Sequence, residues 1–199
     1  MNGRLPSPDT LPPHMPHLRD GLRRRTCRAI LKLCGWGLSG EFPDVPQLVV
    51  IVAPHSSWWD GIWGLLIKVG IGADVHFMGK QELFRGPLGR LLIKLGGIPI
   101  NRGAAKGVVE QMIEQFQQHD QLWLGIAPEG TRKPVKHWKS GFLRIAHAAN
   151  VPIMPVLFDY PSKTFILEAP VHTTGDFNAD MARIRALFRP AHGKHRNTE

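Results

Sequence analysis

LVVIVAPHSSWWD, at residues 48–60, combines a short apolar run, a small loop and the start of a helix. Its first six residues are apolar and mostly β-branched, which is typical of a strand that is buried on both faces. Residues 56–69 then follow with a helical pattern. A buried strand that leads directly into a helix is the building unit of an α/β domain with a parallel sheet.

The same alternation continues along the rest of the chain. Predicted strands cover residues 74–78, 98–100, 122–127, 151–160 and 164–168, and predicted helices cover residues 81–95, 104–119, 139–149 and 179–188. Strands separated by helices indicate an α/β domain whose mostly parallel sheet is flanked by helices. We expect one such domain over residues 46–189, followed by a flexible tail over residues 190–199.

Residues 1–45 are predicted to form a proline-rich leader and a basic amphipathic helix, with the helix over residues 18–36. Leu22, Ala29, Ile30 and Leu33 recur at helical spacing, and arginines and lysines cover much of the remaining surface. Such a helix can lie in an anionic lipid interface, or it can pack on the domain through its apolar stripe. The sequence leaves both alternatives open.

The charge balance is strongly basic, with 25 Lys and Arg against 16 Asp and Glu and a formal net charge of +9. This surplus favours polyanions, which include nucleic acids, anionic lipid headgroups and phosphorylated substrates. No nucleic-acid-binding motif accompanies it, and the aromatic residues cluster near His55 instead of among the basic ones. A basic nucleic-acid-binding module is therefore the weaker alternative, and we expect no nucleic-acid partner.

His55 and Asp60 are the first candidate catalytic residues. The strand delivers His55 to the edge of the sheet, and Asp60 in the first helical turn can reach back toward the imidazole. A carboxylate on one ring nitrogen fixes the tautomer and leaves the other nitrogen able to take a proton. The alternative is structural, because Ser57 and Asp60 also have the spacing of a capping box at a helix start.

Candidate binding residues follow three other predicted strands. These residues offer cations, a hydroxyl and a flexible backbone, which suit a phosphate group. They are Lys80, Arg102, Glu129, Gly130, Thr131 and Arg132. Taken singly, each is also consistent with an ordinary charged turn.

Four sequence blocks and their order change this interpretation. His55-x4-Asp60 is followed by GIPINR at residues 97–102, PEGTR at residues 128–132 and VPIMPV at residues 151–156. This arrangement resembles the glycerolipid acyltransferase superfamily, which includes the 1-acylglycerol-3-phosphate acyltransferases. The resemblance covers residues 48–160, over half of the chain, and implies the superfamily's αβ acyltransferase domain.

The resemblance also implies a function and a role for each candidate residue. His55 would be the general base and Asp60 its partner. Arg102 would help to bind the phosphate of a lysophospholipid acceptor, and residues 129–132 would form the rest of the acceptor site. The acyl group would come from acyl-CoA or acyl-carrier protein as co-substrate, without a cofactor or metal. The protein would act in phospholipid biosynthesis at the cytoplasmic face of the membrane, as a peripheral or monotopic protein on its anionic surface.

Two departures from the superfamily bear on the choice of substrate. Pro54 precedes the histidine where many relatives have Asn, and Ala127 precedes the PEGTR block where Phe is frequent. Neither change removes a group that transfers a proton. Hydrolysis of a thioester or a phosphate ester, with His55 activating water, is the second enzymatic hypothesis. A covalent acyl-enzyme is disfavoured because the chain has no Gly-x-Ser-x-Gly motif.

Overall fold

A computed structural model describes residues 5–6, 10–101, 103 and 107–195. Its strands are β1 (Gly37–Ser39), β2 (Gln47–Ala53), β3 (Val75–Lys80), β4 (Gly97–Ile100), β5 (Leu122–Ile126), β6 (Ile153–Asp159) and β7 (Thr164–Leu167). Its helices are α1 (Leu22–Cys34), α2 (Trp58–Ile71), α3 (Gly86–Lys94), α4 (Val108–Gln118), α5 (Gly141–Ala149) and α6 (Phe177–Leu187). A short 3₁₀ helix (Gln81–Phe84) lies between β3 and α3.

The strands form one sheet in the order β1-β7-β6-β2-β5-β3-β4. β6, β2, β5, β3 and β4 are parallel to one another, and β7 pairs antiparallel with β6. The prediction of an α/β domain with a mostly parallel sheet is therefore confirmed. Since these five strands run the same way, their carboxyl ends meet at one edge, which we call the carboxyl edge. The loops that leave this edge carry the candidate residues.

The core lies on both faces of the sheet, as the apolar run of β2 predicted. Val49, Ile51 and Ala53 point into a cluster with residues of α4, α5 and α6. Leu48 and Val50 point the other way, into a cluster with residues of α1 and α2. Each fully buried aliphatic side chain contributes about 1.5–3 kcal/mol of transfer free energy. The alternating contacts make β2 the centre of a three-layer α/β/α arrangement.

The segment after β3 differs from the prediction. A single helix was expected over residues 81–95, but the structure has a 3₁₀ helix and a separate α3. Arg85 is extended, and Gly86 has a φ of 67°, which an L-residue with a side chain rarely adopts. Pro87 lies in the first turn of α3, where its missing N–H costs nothing. The Gly86-Pro87 pair therefore interrupts the helical pattern.

The amino-terminal segment also departs from expectation. α1 ends at Cys34 because Gly35 adopts a left-handed conformation, and β1 follows and pairs with β7. The sequence analysis predicted neither this end nor a strand within residues 1–45. Such a short strand carries too weak a pattern to be recognised without its partner. None of the helices in the described residues is long and apolar enough to cross a bilayer.

The orientation of α1 decides one of the two alternatives for this helix. α1 packs against α2 and buries Arg24 and Leu31. The Arg24 guanidinium donates a hydrogen bond to the carbonyl of Ile71 at 2.5 Å. Leu22 and Leu33, in contrast, are exposed. α1 therefore packs on the domain, but it does so through Arg24 and Leu31 and not through the predicted apolar stripe, which faces solvent.

Candidate active site

His55 lies just beyond the carboxyl end of β2, after a cis peptide bond between Ala53 and Pro54. Its Nδ1 is 3.2 Å from Oδ2 of Asp60. Its backbone N–H donates to Oε1 of Glu129, also at 3.2 Å. The His55 side chain is 29% exposed, whereas that of Asp60 is 4% exposed. The pair thus has a buried carboxylate and an imidazole that solvent or substrate can reach.

Asp60 is fixed from four directions. Its Oδ2 accepts the backbone N–H groups of Ser56 and Ser57, each at 2.7 Å, in addition to facing His55. Its Oδ1 accepts the hydroxyl of Tyr160 at 2.6 Å. Ser57 caps α2, and its side chain and that of Asp60 complete a capping box. The catalytic and structural interpretations of Asp60 are therefore compatible, because the same carboxylate caps α2 and faces His55.

These contacts set the ionisation of Asp60 and of Tyr160. Burial by itself would raise the pKa of Asp60, but hydrogen bonds from His55, Tyr160, Ser57 and Ser56 outweigh it and lower the pKa. Burial and the adjacent carboxylate raise the pKa of the Tyr160 phenol above its usual range. Asp60 is thus a carboxylate at neutral pH, and Tyr160 keeps the proton that it donates.

Removing the Tyr160 hydroxyl tests how the carboxylate is held. We expect Tyr160→Phe to raise the pKa of Asp60 and to lower the free energy of unfolding by about 1–2 kcal/mol, since a charge-assisted hydrogen bond is lost. The ring itself should stay stacked on Phe158, 5.0 Å away. Urea unfolding at neutral pH and an NMR titration of the Asp60 carboxyl measure the two effects. An unchanged pKa for Asp60 would contradict the assignment.

The loop after β5 lies beside the pair because β5 is the neighbour of β2. Glu129 is only 1% exposed. Gly130 turns the chain with a φ of 66°, and the Thr131 hydroxyl oxygen accepts the N–H of Lys133 at 3.2 Å. The Arg132 guanidinium lies 3.3 Å from the centroid of the Trp58 ring. The loop therefore contacts the start of α2 through Arg132 and places this cation next to the His55 segment.

Of the other two predicted binding residues, the structure describes Lys80, which lies further along the same edge. Lys80 is the exposed last residue of β3. β3 lies two positions from β2, and adjacent strands are about 4.8 Å apart, so Lys80 begins about 10 Å from the His55 strand. Arg102 lies outside the described residues. It follows β4, the next strand beyond β3.

Tyr160 is a contact of the site that the sequence analysis did not single out. It follows β6, which pairs with β2 on the side opposite to β5. The one available signal was its position, since it ends a predicted strand whose carboxyl end meets that of β2. Tyr160 also binds the carboxyl-terminal segment, because its N–H donates to the carbonyl of His192 at 2.9 Å.

The described part of the tail lies near the start of α2. The N–H of His195 donates to Oγ of Ser56 at 3.3 Å, and Nζ of Lys194 lies 4.8 Å from the centroid of the Trp59 ring. These contacts place residues 192–195 beside the loop that carries His55. The flexibility expected for residues 190–199 stays a prediction, and residues 196–199 lie outside the described part.

The fold and the site together define a class: an α/β domain that holds a histidine–aspartate pair at the carboxyl edge of its sheet. The chain belongs to the Acyltransferase family, whose model matches residues 43–159. The resemblance expected from the four sequence blocks is therefore confirmed. The match covers the strands β2 to β6 together with His55, Asp60 and Glu129, and it ends one residue before Tyr160.

Individual relatives agree with this family. In an alignment of 144 positions that covers 67% of this chain, it is 27% identical to 1-acyl-sn-glycerol-3-phosphate acyltransferase of Streptococcus pneumoniae strain R6. In an alignment of 151 positions that covers 70% of the chain, it is 31% identical to the human 1-acyl-sn-glycerol-3-phosphate acyltransferase beta. Each match covers 53% of the relative, so the chain spans about half the length of these proteins.

A solved structure supports the fold. The 1-acyl-sn-glycerophosphate acyltransferase PlsC of Thermotoga maritima superposes with a TM-score of 0.57, over 83% of this chain and 78% of that one. The two sequences are 18% identical in this comparison. At this level of identity the similarity establishes the shared architecture. It leaves the substrate to be inferred from the site.

Proposed function

We propose that the protein transfers a fatty acyl group to a hydroxyl of a lysophospholipid such as 1-acylglycerol-3-phosphate, in phospholipid biosynthesis. The observation that carries this proposal is the 3.2 Å contact between Nδ1 of His55 and the buried carboxylate of Asp60. Membership of the Acyltransferase family supports the reaction class. The names of the bacterial and human relatives support the acceptor. The donor would be acyl-CoA or acyl-carrier protein.

The proposed chemistry is direct transfer at His55. Asp60 holds the ring so that Nδ1 carries its proton and Nε2 accepts the proton of the acceptor hydroxyl. The hydroxyl oxygen attacks the thioester carbonyl, the carbon–sulfur bond breaks, and the departing thiolate takes the proton back from the imidazolium. General base catalysis of this kind contributes about 10²–10⁴-fold to the rate. The proposed reaction needs no metal or cofactor.

The proposed acceptor site uses the cations of the carboxyl edge. Arg132 is fixed over Trp58 next to the His55 loop, which suits a guanidinium that binds a phosphate. The Glu129 carboxylate accepts the backbone N–H of His55, and Gly130 and Thr131 form the turn between Glu129 and Arg132. Lys80, the exposed last residue of β3, adds positive charge further along this edge, and Arg102, which lies outside the described residues, follows β4 in the sequence.

We also propose that the protein works on the anionic cytoplasmic face of a membrane as a peripheral or monotopic protein. α1 supports this location, because its apolar residues Leu22, Ile30 and Leu33 are exposed while it contains basic residues and no acidic ones. Each basic residue near an anionic surface adds on the order of 1 kcal/mol of attraction. The exposed stripe would enter the headgroup region.

Product analysis tests the function. Purified protein is offered lysophosphatidic acid and the matching phosphate-free monoacylglycerol, each with acyl-CoA or acyl-carrier protein, and the lipids are identified by mass spectrometry. We expect phosphatidic acid as the main product, and Arg132→Ala should lose the preference for the phosphate-bearing acceptor. Lys136→Ala, in the same loop segment, is the control that should keep it. Free fatty acid as the main product would favour hydrolysis and overturn the proposal.

A further inference from the structure

Exposed apolar side chains are concentrated in one layer of the protein. The large apolar residues that are exposed in the described part of the chain all lie on α1, the start of α2, the 3₁₀ helix or α3. They are Leu22, Ile30, Leu33, Trp58, Trp59, Ile62, Leu83, Leu88, Leu91 and Ile93. Exposed apolar side chains that are gathered in one layer mark an interaction site more often than scattered ones do.

These helices cover the same face of the sheet. α1 and α2 contribute to one core cluster, and α4, α5 and α6 contribute to the other. α3 connects β3 to β4 in the direction in which α2 connects β2 to β3, so right-handed crossovers place both helices on one face. Nζ of Lys68 on α2 donates to the carbonyl of Leu95 at 2.8 Å, which ties the end of α3 to α2.

α3 itself is barely covered by the rest of the domain. Gly89 is its one buried residue, and the helix rests on the 3₁₀ helix and β4. Leu88 is 61% exposed and Leu91 is 52% exposed. The exposed cations Arg90 and Lys94 lie on the same helix, which contains no acidic residue. A short helix that exposes leucines between cations has an unpartnered amphipathic surface.

We propose that Leu88, Leu91, Arg90 and Lys94, here called the α3 ridge, form a second membrane contact that enters the interface of an anionic bilayer. This inference rests on the membrane location proposed above, where only α1 was assigned a contact. The cations match an anionic surface, and the leucines match its apolar boundary. The bilayer is favoured over an acidic protein because the exposed apolar surface extends across three helices instead of forming one small patch.

Membrane contacts through both α1 and the α3 ridge would fix the orientation of the domain, whereas a contact through α1 alone would not. The ridge follows Lys80 at the carboxyl edge, and the exposed Trp58 and Trp59 lie at the start of α2 on that edge. α1 alone would leave the domain able to rotate about the helix axis. With the α3 ridge also bound, the carboxyl edge is held at a fixed height above the lipid headgroups. A lysophospholipid can then reach His55 without leaving the interface.

Vesicle binding of matched variants tests the ridge. Leu88→Glu/Leu91→Glu adds two negative charges to the ridge, and Ala182→Glu/Ala186→Glu adds two at exposed positions of α6, in the opposite layer. Partition onto vesicles of phosphatidylcholine and phosphatidylglycerol should fall about tenfold for the first pair, because both leucines lose their apolar contact. The α6 pair should stay within about twofold of the unmodified protein, since salt screens charges on the far side.

Further variants separate the outcomes. Leu88→Gln/Leu91→Gln removes the apolar surface without adding charge and should also weaken vesicle binding. Leu22→Glu/Leu33→Glu tests α1 in the same assay.

If the α1 pair loses vesicle binding and both α3 pairs keep it, the proposal for the α3 ridge is wrong while the proposed membrane location stands. If the unmodified protein does not bind the vesicles, both proposals fail. Full vesicle binding with weaker use of acyl-carrier protein in the α3 pairs would assign the ridge to that protein and overturn the inference. Circular dichroism and urea unfolding confirm that each variant is folded.

Discussion

His55→Ala should lower the rate of acyl transfer by at least about 10²–10⁴-fold, the usual contribution of general base catalysis. The variant keeps the buried carboxylate, the cap of α2 and the loop at residues 129–132, so the remaining rate reflects substrate positioning alone. The free energy of unfolding should change by less than about 1 kcal/mol, because the imidazole is partly exposed and its removal leaves little buried cavity. Turnover with lysophosphatidic acid and urea unfolding measure the two quantities.

The chain contains a matched control for this experiment. Nε2 of His76 lies 3.4 Å from Oδ1 of Asp74. The His76 side chain is 31% exposed, close to the 29% of the His55 side chain. This second histidine–aspartate pair lies at the amino-terminal end of β3, away from the carboxyl edge. His76→Ala should therefore keep activity within about twofold, as a surface substitution distant from the site does. A loss of similar size in both variants, or activity within a few-fold of wild type in His55→Ala, would remove His55 from the mechanism.

The parts of the fold that were predictable are those with a strong local pattern. The β2 run is apolar over its whole length, and burial on both faces follows directly from that composition. Two of the four family blocks, His55-x4-Asp60 and PEGTR, directly follow the carboxyl ends of β2 and β5, where a parallel sheet gathers ligands. The break before α3 was visible in Gly86-Pro87, but the surrounding apolar spacing favoured a continuous helix. Local periodicity does not report which backbone conformation a glycine adopts.

The features that were missed depend on contacts between distant residues. Tyr160 lies 100 residues from Asp60, and its hydrogen bond exists because β6 pairs with β2. The face of α1 that packs on α2 carries Arg24, whose guanidinium donates to a carbonyl at the end of α2. That partner is set by tertiary structure. The apolar stripe alone therefore could not show which face of α1 packs on the domain.

The site combines functions that the sequence presented as alternatives. Asp60 caps α2, and the same Oδ2 that accepts the N–H groups of Ser56 and Ser57 faces His55. Sharing one oxygen has a physical benefit, because the backbone groups hold the carboxylate in place and hold it ionised. The helix start thus preorganises the pair. An experiment on Asp60 must therefore separate the loss of charge from the loss of the cap.

Asp60→Asn makes this separation and should reduce acyl transfer on the order of 10³-fold or more, by loss of the carboxylate that stabilises the imidazolium. Two backbone N–H groups require an acceptor at the position of Oδ2, so the amide oxygen of Asn should occupy it. The amide NH₂ then faces Tyr160, whose hydroxyl can accept. The geometry is kept and the charge is removed. We expect the free energy of unfolding to fall by about 1–3 kcal/mol, because hydrogen bonds to a charged group become neutral ones.

Ser57→Ala is the control for the helix start. It removes the Oγ that accepts the N–H of Trp59 at 3.2 Å, and it leaves the Asp60 carboxylate in place. Loss of this cap should cost about 1 kcal/mol of stability. Turnover should stay close to that of the unmodified protein. If Ser57→Ala loses as much activity as Asp60→Asn, the helix start and not the charge explains the effect.

The pH dependence of stability gives an independent measure of the same charge. The pKa of Asp60 is lowered in the folded protein, so its contribution is complete above the unfolded value of about 3.9 and is lost as the pH falls through the folded value. The difference in unfolding free energy between the unmodified protein and Asp60→Asn should therefore be constant near neutral pH and shrink in acid. Urea unfolding across this range measures it. If this difference in unfolding free energy does not depend on pH, the hydrogen bonds from His55, Tyr160 and the backbone do not stabilise the ionised Asp60 carboxylate. The proposal that they preorganise the His55–Asp60 pair would then be wrong.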